Sequence, residues 1–365
     1  MSQSAPSLPD PRQYSATPPV NNDFLRQAGV ILAATTADEK EMWQSALKSS
    51  LAEHLEREEM LPISVALAMA DSQAVYRTLW QALGDALDGD TVVFALPLVL
   101  VAGSKGAARL PGELADPEGF ASLLGRVGLV SDPARVAWLP QLLHPDTLAG
   151  VKSSQLYRLA QGSADAARDT LAALPAAPVS LSGEGVFLRY VVGVARRDAN
   201  GELPIALSGA VGAWGMPLMQ SLNAMLKTDG VTLFTIPRAP QALTAALVAG
   251  GQARHEVAMQ VFASNRIRRL RELSLEPVAI ASAHEGGELR FTLSARGDVK
   301  NWEGFVWPLS PLDSVPLIAR QFAELMADCR VDDVRFVPQV AADKDGEVPV
   351  FFTADELSPA GAVIQ

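Results

Sequence analysis

Hydrophobic and polar positions alternate with a helical period from Thr36 onward. Thr36-Ala-Asp-Glu39 has the form of a capping start, Thr36 as N-cap and Glu39 at N3. Trp43, Leu47, Leu51 and Leu55 then recur every fourth residue and mark one apolar stripe. Glu56, Arg57, Glu58 and Glu59 form a solvated end, and Pro62 follows. A second helix is expected over about Ile63 to Leu87, with Val75, Leu79, Leu83 and Leu87 on one face and a break at Asp71-Ser72. The chain therefore opens as a helical hairpin.

The period then changes. The run after Asp88-Gly-Asp90, Thr91 to Gly103, is β-branched, continuous and uncharged, the pattern of a strand buried on both faces. Pro97 inside it predicts a bulge or a break. A helix around Pro117 to Val127, a short strand over Arg135 to Leu139 stopped by Pro140, and helical pattern from Pro145 to Leu174 follow. Leu174-Pro-Ala-Ala-Pro178 reads as a linker. Beyond it, strand-forming residues flank Asp198-Ala-Asn-Gly201 and again Glu285-Gly-Gly287, the composition of two hairpins. In the second hairpin Arg290, Thr292 and Ser294 alternate with Leu289, Phe291 and Leu293, which predicts one wet face. A long helix is expected between the hairpins, over about Gln241 to Leu273.

Three segments place Pro-Leu after an apolar run, at Leu98, Leu218 and Leu309. Each leads into helical periodicity, then an aspartate and a strand closing at Pro140, Pro237 or Pro338. The Trp302 to Pro338 copy is the cleanest, its helix carrying Val315, Ile318, Phe322, Leu325 and Met326 on one side. Strand–helix–strand units of this kind predict parallel pairing through crossovers. The expected fold is mixed α/β: a helical hairpin, degenerate strand–helix–strand units, and β-hairpins in the second half. The expected division is a Pro- and Ser-rich tail over 1–22, a first region over 23–174, a second over 179–357 and a tail over 358–365.

Composition narrows the function classes. The 365 residues carry a net charge of −11, which disfavours nucleic acid and anionic membranes. The longest apolar run, Val92 to Ala102, is too short for a membrane helix. The N-terminus has neither the basic nor the apolar region of a signal peptide, and a single cysteine, Cys329, excludes an intramolecular disulfide. These features point to a cytoplasmic protein.

Candidate chemistry is sparse. Gly103-Ser104-Lys105-Gly106 follows the buried strand, where α/β proteins hold phosphates, but its spacing departs from the P-loop pattern throughout. His54, His144, His255 and His284 stand outside metal-ligand spacing, so no metal or cofactor is expected. No G-x-S-x-G elbow is present; Glu58/Glu59 and Asp332/Asp333 are paired carboxylates in solvated or turn positions. Arg266, Arg268, Arg269 and Arg271 form the one dense basic cluster, with Ile267, Leu270 and Leu273 turned inward and the arginines outward.

Three segments carry a likeness to a known family: Phe187-Leu-Arg-Tyr-Val-Val-Gly-Val194, Gly304-Phe-Val-Trp-Pro-Leu309, and Val331-Asp-Asp-Val-Arg335 with Pro338. In this order the chain resembles a bacterial protein family of unknown function over Thr91 to Pro338. That resemblance implies a fold and no activity. Family members continue with a cysteine-containing segment after the last strand; Gln339 to Gly346 has none here, so no metal role is implied.

The first functional expectation is a non-catalytic protein that binds a protein partner or assembles as a homo-oligomer, through the Arg266–Arg271 face or the Pro-rich tail. The alternative, from another class, is a small-ligand or phosphate-binding protein, or an enzyme, using Gly103, Ser104, Lys105 and Gly106. Nucleic-acid binding through the arginine cluster ranks third, because no aromatics are interleaved for base stacking.

Overall fold

The computed structural model describes residues 22–340 and 351–355. The segments 1–21 and 356–365, which take in most of the expected tails, lie outside the described residues, as does the stretch 341–350. The chain divides into two compact units between Ala86 and Leu87.

The first unit is helical. It consists of α1 (Asp23–Ala33), α2 (Ala37–Glu56), α3 (Met60–Ala68) and α4 (Gln73–Ala86). The Thr36 hydroxyl accepts from the Glu39 N–H as the capping pattern predicts, and Leu47, Leu51 and Leu55 are buried. The expected hairpin becomes four helices for two reasons. Asn22, assigned to the tail from its composition, caps α1, which buries Phe24, Ala28 and Ile31. Asp71-Ser72 does interrupt the second helix, and the Ser72 hydroxyl accepts from the Val75 N–H in the first turn of α4.

The second unit begins with β1 (Thr91–Ser104) and β2 (Ala108–Leu110), then α5 (Pro117–Arg126) and β3 (Val136–Leu143). Three helices follow, α6 (Pro145–Ala149), α7 (Ser153–Gln161) and α8 (Ala164–Ala172), and then β4 (Val179–Leu181) and β5 (Glu184–Arg196). After α9 (Gly215–Met225) come β6 (Val231–Pro237), β7 (Gln241–Ala242) and the 30-residue α10 (Leu243–Glu272). The last elements are β8 (Pro277–His284), β9 (Glu288–Ala295), β10 (Asp298–Pro308), α11 (Val315–Asp328) and β11 (Asp333–Val340). The class is mixed α/β, as the patterning predicts.

The first sheet has the order β3-β5-β1-β6, with β7 also on β1, and every ladder is antiparallel. The continuous apolar run of β1 thus reports burial on two faces, not parallel pairing. Phe94, Leu96, Leu98 and Leu100 pack with α5 and α9, whereas Val93, Ala95 and Val99 pack with α7, α8 and α10. Pro97 breaks nothing in β1. Its carbonyl accepts from the Arg238 N–H at 2.9 Å, in the gap between β6 and β7, so its missing donor faces an interruption of the neighbouring strand. Pro140 does not end β3, because β3 is an edge strand with a register shift between Trp138 and Leu142.

Other expectations fail for identifiable reasons. The turn at Asp198–Gly201 forms, but no strand follows it. Pro204 lacks a donor, its carbonyl is taken by Ser131 N, and only Ile205 forms a bridge, to Val130. Leu174–Pro178 runs inside the second unit; Ala177 N donates to Leu142 O, and the buried Arg189 guanidinium donates to the carbonyls of Ala177 and Pro178. The threefold repeat does not hold, since Gly215–Leu218 opens α9 and not a strand. The only parallel ladder among the described residues joins β8 and β11.

The second sheet has the order β10-β9-β8-β11. Its hairpin at Glu285–Gly287 forms as predicted, with Gly287 at positive φ. α10 serves both sheets: Leu243, Ala246, Ala253 and Val257 belong to the first core, and Met259, Ala263 and Ile267 to the second. Gly250 lies in this helix because a Cβ there would strike the hydroxyl of the buried Tyr190. No helix among the described residues is long and apolar enough to cross a membrane.

Candidate functional site

The loop Gly103–Gly106 is the turn from β1 into β2. The Ser104 N–H is bound to Gly183 O, its hydroxyl to Gly106 O, and Lys105 is exposed. No helix begins there and neither glycine has positive φ, so the features that make a strand-end loop an anion cradle are missing.

The arginine cluster is not a single outward face. Arg266 is buried (5% exposed), whereas Leu273, expected inside, is exposed. Arg271 donates from Nη2 to the carbonyls of Cys329 (2.7 Å) and Arg330 (3.0 Å), so it satisfies the C-terminal end of α11. Among the described residues Arg268 reaches Asn265 on its own helix. Arg266 and Arg269 both donate from Nη1 to the same atom, Glu303 Oε1, each at 3.1 Å.

Glu303 is brought there by the local chain. The β9–β10 turn is Arg296-Gly297, with Gly297 at positive φ. Asp298 then accepts from the Asn301 side-chain amide and from the N–H groups of Lys300 and Asn301, and these bonds, the amide's first, hold its carboxyl below the usual range. This compact loop shifts the register of β10 between Asp298 and Glu303 and swings Lys300–Glu303 over the last turns of α10. The cleft so formed has a volume of about 480 Å³.

The second sheet presents a different kind of surface on the face away from α10 and α11. Ser282, Thr292, Ser294 and Arg335 are buried there, beside Val278 and Ile280. The wet face predicted for Thr292 and Ser294 is instead covered, by Phe351–Asp355. The covering segment makes no ladder; side chains hold it. Ala354 N donates to Ser294 Oγ (3.0 Å), Arg335 Nη1 donates to Ala354 O (3.1 Å), and Gly297 N donates to Asp355 Oδ1 (3.0 Å). The Phe351 ring lies against Gly304, 5.6 Å from the Trp302 ring and 6.0 Å from the Arg290 guanidinium. Phe352 packs on Val278 and Ile280.

Asp333 fixes the Arg335 fork, accepting from Nε at 2.9 Å and from Nη2 at 2.8 Å, and also pairs with Arg296. Chiefly because of the Arg335 hydrogen bonds, its carboxyl is held down at about 2. The Asp332/Asp333 pair therefore has a structural member, not a catalytic dyad.

The remaining candidates stand apart. His54 bonds Ser50 O within α2, and His144 caps α6. Burial, and next to it Arg254, lowers the pKa of His255 on α10. His284 Nε2 lies 3.0 Å from Ser282 Oγ, but that hydroxyl is buried and offers no nucleophile to solvent. Among the described residues no group of three or more His, Cys, Asp or Glu is placed to hold a metal ion. Sequence reasoning missed Ser294, Gly304 and Arg335 as a set. The signal was the Phe351-Phe352 pair beyond the last strand, whose aromatics need a surface.

No family model, no curated protein and no solved structure matches this chain.

Proposed function

We propose that this is a non-catalytic protein-binding and self-assembling protein whose recognition surface is the polar outer face of the second sheet. The observation that carries this reading is that Phe351–Asp355 sits on that face as a ligand would. Its backbone is bound by Ser294 and Arg335 and its aromatic rings are seated beside Gly304 and on Val278 and Ile280. A sheet face that serves only stability is apolar, because buried hydroxyls and guanidinium groups are costly without partners. Here the partner is the peptide backbone. The segment that fits carries two aromatics, then Thr, a small residue and an acid, and turns at its last two residues; a second copy carries that same segment. The half-buried Cys329 needs no oxidising compartment, which supports a cytoplasmic setting.

Two full-length variants test this. Ser294→Val blocks the groove and leaves the segment intact; Phe351→Ser with Phe352→Ser disables the segment and leaves the groove. Native mass spectrometry should show each alone as a monomer and a mixture forming a one-to-one heterodimer. Gly304→Val is a second groove block should Ser294→Val fold poorly. Folded variants that stay monomeric when mixed would sink the reading.

A further inference from the structure

The cleft between α10 and β10 has a charge imbalance that its own residues leave open. Two guanidinium groups, Arg266 and Arg269, share one oxygen of Glu303, and Lys300 adds a third cation to the lining. Glu272 supplies the second carboxylate of the lining, so three cations face two anions. Arg266 is the telling group. It is buried, yet its Nε and Nη2 have no hydrogen-bond partner among the described residues. Each unmade bond on a buried charged donor is destabilising, so the chain carries a cost there that folding does not require. Beside the cations, exposed Trp302 and Leu273 give an apolar wall.

We infer that this cleft is a binding site for a small oxyanion bearing a ring, either a carboxylate or a phosphate monoester. The oxyanion lies against Arg269 and Lys300 and takes up the free N–H groups of Arg266, which are closed to solvent and which its entry must uncover, and the ring lies on Trp302. A planar fork favours this class over halide or a spherical anion, because two parallel N–H groups match two oxygens. The volume suits a small molecule. The cations of the site are residues other than Ser294 and Arg335, and Arg266→Met and Arg269→Gln test them apart from peptide recognition; the shared residue is Trp302, whose ring lies 5.6 Å from the Phe351 ring.

Calorimetric titration of the full chain at constant ionic strength tests it, using phenylphosphate, benzoate and inorganic phosphate as probes. One of the two ring-bearing anions should bind at least about tenfold more tightly than inorganic phosphate, and which one does identifies the source of the oxyanion. Arg266→Met should abolish that binding without lowering the urea midpoint, since it removes a buried, under-bonded charge. Arg269→Gln, at an exposed position, should weaken binding about tenfold should Arg266→Met fold poorly. Lys105→Ala, on the remote turn, should bind as the parent does. Absence of binding by both ring-bearing probes overturns the site, as does binding that Arg266→Met and Arg269→Gln leave unchanged.

Discussion

The two sheets of the second unit solve the same burial problem with opposite chemistry. Both faces of the first sheet are closed by apolar side chains from helices, α5 and α9 on one side and α7, α8 and α10 on the other, and β1 needs no polar partner beyond its ladders. The second sheet closes one face in the same way, with Phe291, Trp307, Phe322 and Met326 in its core. Among the described residues its other face is covered by Phe351–Asp355, bound by Ser294, Arg335 and the Gly297 N–H. Helices bury a face permanently, because removing one exposes a large apolar area. A segment held by a few polar bonds and two half-buried rings can leave without unfolding what lies beneath. On the proposed function, the difference separates scaffold from recognition surface.

Substitutions should divide along that line. Leu98→Ala, fully buried in the first sheet, should cost about 2–5 kcal/mol in urea unfolding. Asp333→Asn removes the carboxylate that fixes the fork of buried Arg335 and should cost about 3 kcal/mol at neutral pH. The folded carboxyl of Asp333 titrates at about 2, below its usual 3.8, so the folded state holds on to the charged form. Its contribution is therefore complete above pH 3.8 and is lost as pH falls from 3.8 through 2. Asp333→Asn should flatten that acid slope, whereas Leu98→Ala should shift the whole curve and leave the slope.

Two glycines sharpen the contrast further. A Cβ at Gly193 would strike the Phe94 ring, and a Cβ at Gly304 would strike the Phe351 ring. Phe94 is locked in the first core, so Gly193→Ala should cost about 1–3 kcal/mol. Phe351 belongs to the covering segment and can yield. Gly304→Ala should cost about 0.5 kcal/mol or less in global stability, while increasing protease cleavage near Phe351. Equal losses at the two glycines would erase the distinction between the sheets.

Much of this architecture was legible in the residues. Leu47, Leu51 and Leu55 mark α2, the uncharged run from Thr91 marks β1, and Glu285-Gly-Gly287 marks the hairpin, because each pattern is local. Pairing direction was not legible, since two-sided burial gives the same continuous apolar run in parallel and antiparallel sheets. Gly215-Met-Pro-Leu218 looked like a strand end and proved a helix start, because Pro is equally at home in a first helical turn. The candidate sites were harder still. Arg266 and Arg269 stand out in sequence as basic, but their shared carboxylate is 34 residues beyond Arg269, and only the bulged start of β10 brings it there. Thr292 and Ser294 looked solvated because the chain that covers them lies beyond the last strand.

The most direct test of the separation between scaffold and recognition surface is native-state hydrogen exchange of the Ala354 amide, which donates to Ser294 Oγ, against the amides of β5. Release of Phe351–Asp355 as a unit predicts that Ala354 exchanges at least about a hundredfold faster than the slowest β5 amides and is insensitive to low denaturant. Exchange of Ala354 at the same rate as β5, with the same denaturant dependence, would show that the segment leaves only when the whole unit unfolds and would contradict the account.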